Sequence, residues 1–167
     1  MRIELQNEID NARQQLSISD ANFKSLPSTT NWHRLKEQIY RRFCKISNKS
    51  RSIWLWDNFK HGYQGIDLNV HLHSILHQLI PNDEMIWFMA SDGTNLLFYE
   101  GKVKAIQAII GETSYELDEY YLISKKDEWL FCANHHDILI GTGELAIRKI
   151  KAFIQQFPEL LIKAYPA

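Results

Sequence analysis

The fold is decided by residues 119–133, Glu119-Tyr120-Tyr121-Leu122-Ile123-Ser124-Lys125-Lys126-Asp127-Glu128-Trp129-Leu130-Phe131-Cys132-Ala133. Two runs of aromatic and aliphatic residues flank the polar triplet Lys125-Lys126-Asp127, the pattern of two strands joined by a tight turn. We read 119–124 and 128–133 as this hairpin. Upstream, Met85 to Ala90 and Leu96 to Tyr99 repeat the pattern around Ser91-Asp92-Gly93-Thr94-Asn95, so another hairpin precedes it.

Helical spacing takes over on either side. Ile3, Leu5, Ile9, Ala12 and Leu16 form one stripe over residues 2–16, and residues 17–30 read as a connection. A second helix starts near Thr30 or Asn31, either of which can cap it. Its stripe is Trp32, Leu35, Ile39, Phe43 and Ile46, and Asn48-Lys49-Ser50 ends it. Ile53-Trp54-Leu55-Trp56 reads as a short strand, and Gly62 and Gly65 as marks of a loop containing Tyr63. Residues 69–80 read as a helix stopped by Pro81. Residues 102–110 fit helix or strand, and we take helix. A last helix runs from Thr142 or Gly143 to Phe157. Helices at both ends and hairpins between them predict the α+β class: an antiparallel or mixed sheet built from two hairpins, covered by N-terminal and C-terminal helices.

The totals agree with one domain over residues 1–167. Hydrophobic residues make up 45% and charged residues 23%, which excludes an intrinsically disordered chain. Cys44 and Cys132 stand far apart and outside any C-x-x-C pattern, so a reducing compartment is expected. Acids in Met1 to Glu8 interrupt what a signal peptide would need, and no apolar run approaches the ~20 residues of a membrane helix. A cytoplasmic protein without a membrane partner is the expectation.

Several residues invite chemistry. Asn134-His135-His136-Asp137 holds imidazole and carboxylate, the groups of zinc sites and of acid–base catalysis. Adjacent histidines on an extended chain point to opposite faces, which argues for hydrogen-bonded histidines closing a loop. His73 and His77 would lie one helical turn apart, with Asp67 or His61 the nearest third ligand. Gly141-Thr142-Gly143 before a helix resembles a phosphate-binding turn, but lacks the third glycine and the lysine of such motifs. No catalytic residue, metal or cofactor is expected.

Charge is uneven. Residues 1–60 hold 11 Lys and Arg against 6 Asp and Glu, whereas residues 81–119 hold 2 against 8. Arg34, Lys36, Arg41, Arg42, Lys45, Lys49 and Arg51 face only Glu37 over 34–51. That helix could meet a phosphate backbone, but a pI near 6.6 and its apolar stripe point away from nucleic acid and toward an acidic protein or a solvated face. Trp54 and Trp56 on one strand face, with Tyr63, are the aromatic binding candidates.

Tyr120 to Asp137, together with Ile86-Trp87-Phe88 and Leu97-Phe98-Tyr99-Glu100-Gly101, resembles segments of small bacterial proteins. The order of helices, hairpin, hairpin and terminal helix is similar to the SUKH-type class of immunity and interaction domains. That resemblance implies a protein that binds and neutralises a partner toxin, and no catalytic motif comes with it. The expected function is therefore a non-enzymatic protein-binding domain. His135, His136, Asp137, Trp54, Trp56 and Tyr63 are its candidate contacts, and a small hydrolase or metal enzyme using His135, His136 and Asp137 is the alternative.

Overall fold

The computed structural model describes residues 3–26, 32–45 and 55–166. Among them, eight strands form one sheet: β1 (Phe23–Ser25), β2 (Tyr63–Leu68), β3 (Met85–Ser91), β4 (Leu96–Lys102), β5 (Glu119–Ser124), β6 (Leu130–Ala133), β7 (Ile138–Thr142) and β8 (Leu161–Tyr165). Every pairing is antiparallel, in the order β1-β4-β3-β5-β6-β7-β2-β8. Five α-helices accompany the sheet: α1 (Glu4–Gln15), α2 (Trp32–Phe43), α3 (Leu76–Leu79), α4 (Val103–Thr113) and α5 (Glu144–Gln156). The class is α+β, and both expected hairpins are present as β3–β4 and β5–β6.

Strand alternation sorts the core onto the two faces of the sheet. Ile86, Phe88, Tyr120, Leu122, Phe131 and Leu139 pack with Leu5 and Ile9 of α1 and with α3, α4 and α5. Met89, Tyr121, Ile123, Leu130, Cys132 and Ile140 face the other way, against Ile39 and Phe43 of α2, Cys44, Leu55 and Phe59. The sheet is thus buried on both sides, which explains why β5 and β6 are apolar at nearly every position.

Several segments depart from the sequence reading, and β7 and β8 are strands that it does not contain. The expected connection 17–30 contains β1, and the expected loop around Tyr63 is β2. Gly65 is a strand residue, where a Cβ would sit only 3.3 Å from Tyr165 Cβ on β8. The expected helix 69–80 is a 3₁₀ turn, Leu72–Ile75, followed by the four residues of α3. Trp56 lies in a 3₁₀ turn, Leu55–Asn58, so the strand expected over 53–56 is not formed where it is described. Trp54, Ile46 and the proposed caps Thr30 and Asn31 lie outside the described residues. Among the described residues, no helix is long and apolar enough to cross a membrane.

Candidate functional site

Antiparallel order gives the central strands two ends, and the sequence candidates divide between them. One end holds the start of β5, the β6–β7 turn and the 3₁₀ turn at 55–58. There Glu119 is 2% exposed, an unusual burial for a carboxylate, and each of its oxygens has a partner. Trp56 Nε1 donates to Oε1 at 2.8 Å, the Tyr121 hydroxyl donates to Oε2 at 2.7 Å, and His135 Nδ1 lies 2.7 Å from Oε1. Strand alternation explains the burial: Glu119, Tyr121 and Ile123 share the face covered by α2 and Trp56.

His135 and His136 reach this place because Asn134 organises the turn. Its Oδ1 accepts from the N–H groups of His136 at 3.0 Å and Ile138 at 3.1 Å, while Asp137 takes a left-handed φ of 57°. The chain is therefore turning, not extended, and the two imidazoles sit 4.0 Å apart instead of on opposite faces. Both pack on Trp56, at 5.8 Å and 6.1 Å. Asp137 lines a cleft of about 410 Å³ with His71, His73, Asp118, Tyr120 and Asn134, and the carboxylates that gather with His135 are instead those of Asp118 and Glu119. His135, His136 and Asp137 do not converge as one group within 4.8 Å.

The second histidine group is also rearranged. His73 stacks its ring on His71 at 5.5 Å, and the His77 ring meets Gln107 and Gln78. Burial and the neighbouring His71 lower the pKa of His73, which favours a neutral ring. His61, weighed as a third ligand, lies at the other end of the sheet. Neither cysteine is a nucleophile by environment: burial pushes Cys44 up to about 12 and Cys132 well above its ordinary value, the latter beside Glu119.

At the far end, roughly 17 Å along the strands, two depressions adjoin at Arg42. One, of about 1020 Å³, lies between α2 and α5 and is lined by Arg42, His61, Arg148 and Lys151 over Leu145 and Ile147, with Glu128 and Glu144 also present. The other is lined by Arg34, Arg41, Arg42 and Lys60 with Glu37 and Asp127. Tyr63 belongs to this end, 46% exposed and paired in register with Thr142. Gly141-Thr142-Gly143 is not a phosphate turn. Gly141 lets α5 approach, since a Cβ would meet Ile150 at 2.8 Å, and the Thr142 hydroxyl donates to Gly62 O at 3.1 Å. Gly143 caps α5 at a φ of 93°.

Sequence reasoning missed Asp118, Glu119 and Tyr121. The signal was an acid at the head of the Tyr-Tyr-Leu-Ile strand, in phase with positions that must be buried. Fold and site together define an α+β protein with a buried carboxylate–imidazole–indole cluster at one end of its sheet and an open basic groove at the other. The chain belongs to a family of unknown function, DUF6756, whose model matches residues 1–154. No curated protein matches the sequence.

Proposed function

We propose that this is a non-enzymatic binding domain that engages an acidic protein through the groove between α2 and α5. The observation that supports it is the pair of depressions sharing Arg42, in which Arg34, Arg41, Lys60, Arg148 and Lys151 add to an apolar floor. Four acids, Glu37, Asp127, Glu128 and Glu144, interleave with these six cations, which suits a patterned protein surface better than a uniform polyanion. Interfaces of this kind bury about 1,600 Å² in total. The resemblance to immunity-type domains supports a toxin as the partner, and two unpaired buried thiols support a reducing, cytoplasmic setting.

The test is affinity capture from the native cells with the wild type and Arg148→Glu/Lys151→Glu side by side, followed by reconstitution with the purified partner. A protein recovered stoichiometrically by the wild type and lost by the variant, with association that weakens as salt rises, supports the reading. Equal recovery by both, or recovery of the domain alone, overturns it.

A further inference from the structure

We propose that Asp118, Glu119 and His135 form a divalent-cation site at the end of the sheet opposite the basic groove. One ligand atom from each lies within 4.8 Å of the others, and they come from separate segments, the head of β5 and the β6–β7 turn. A carboxylate pair with an imidazole is the mixed oxygen–nitrogen set that suits zinc, manganese, iron or cobalt.

Further observations favour a cation over a plain hydrogen-bonded pair. Glu119 is 2% exposed, and the Asp118 carboxylate stands beside it, so two anionic groups share one place. A bound dication neutralises both. Glu119 is also oriented from outside the cluster, by the Trp56 indole on Oε1 and the Tyr121 hydroxyl on Oε2, the arrangement by which outer-sphere donors fix a metal-binding carboxylate. The backbone at Asp118 is fixed beside β3, its N–H donating to Ser91 O at 2.8 Å, and its carboxylate stands against Gly93. Asp118 lines the cleft of about 410 Å³ as well, so a cation held there borders a space that admits water or a small ligand. The site departs from the sequence expectation of no metal, because Asp118 and Glu119 carry no recognisable motif. It is independent of the groove, and either reading can fail alone.

The test uses full-length protein stripped with chelator, titrated with zinc chloride by calorimetry and followed by thermal unfolding. One zinc per chain is expected, with a melting rise of roughly 5–10 °C at a hundredfold excess over Kd, reversed by chelator. Asp118→Asn, at an exposed position where folding should survive, should weaken binding tenfold or more, as should His135→Ala. His71→Ala/His73→Ala should bind as the wild type does. Cobalt in place of zinc should give visible ligand-field absorption that Asp118→Asn removes. No zinc binding, or binding unchanged in Asp118→Asn and lost in His71→Ala/His73→Ala, overturns the assignment.

Discussion

The two ends of the central strands belong to the same sheet yet have opposite characters. At one end the connections fold inward: the 3₁₀ turn brings Trp56 over Glu119, and the Asn134-centred turn brings His135 beside it. At the other end the connections open outward, leaving Arg42, Arg148 and Lys151 around an accessible groove. The difference teaches that polar residues at one end converge on a single buried carboxylate, whereas those at the other line an open surface. Mutations should therefore act on stability at the Glu119 end and on association at the Arg42 end.

The sharpest way to break this contrast is Glu119→Ala. It leaves the Trp56 indole, the Tyr121 hydroxyl and His135 without their shared acceptor in a buried setting, and should cost about 3 kcal/mol or more. Urea unfolding measures this, and a loss under 1 kcal/mol would mean the cluster is not internally committed. Glu119→Gln keeps one acceptor oxygen and should cost less. Gly143→Ala comes next, at about 2 kcal/mol: its φ of 93° is strained for any side chain, and the new Cβ would stand 2.7 Å from Glu128 O. That variant couples the ends, since it distorts the groove through the cap of α5. Trp56→Phe keeps the ring over His135 but removes the donor to Glu119, for about 1 kcal/mol. By contrast, Arg148→Glu/Lys151→Glu should shift stability by no more than about 0.5 kcal/mol, because both residues are exposed.

How much of this could be read in the sequence follows from where partners lie. β3–β4 and β5–β6 were legible because each hairpin pairs with its neighbour across a short polar turn. β2 was not, because its partners β7 and β8 are remote: Tyr63 pairs with Thr142, and Gly65 with Tyr165. Its glycine looked like a loop residue, whereas it makes room for the neighbouring strand. The 69–80 segment has helical apolar spacing, yet a 3₁₀ turn followed by one α-turn buries Leu72, Ile75, Leu76 and Leu79 equally well. At the site, His135 was found and Glu119 was not, since nothing local connects residues sixteen apart. Trp56 was singled out for a shared strand face, and it matters instead as an indole donor. The extended-chain premise that set the two histidines on opposite faces failed for one physical reason, the turn that Asn134 imposes, whereas a hydrogen-bonded histidine closing a loop is what His135 is.

A comparably small effect lies at the open end and depends on pH. Glu100 bonds Lys125 and Lys24, and Lys125 also sits 4.3 Å over the Trp87 ring. Burial alone would raise the Glu100 carboxyl, but the hydrogen bonds and charges of the two lysines outweigh it and hold the value below the ordinary 4.5. A carboxylate depressed on folding adds stability that is complete above its unfolded value and disappears as pH falls through the folded one. Glu100→Gln should therefore lower the urea midpoint at pH 7 by an amount worth on the order of 0.5 kcal/mol. The gap should narrow with added salt and close below the folded value. A difference that persists at pH 2 would assign Glu100 a packing role instead. The open end would then resemble the Glu119 end, where the side chains fix one another in place.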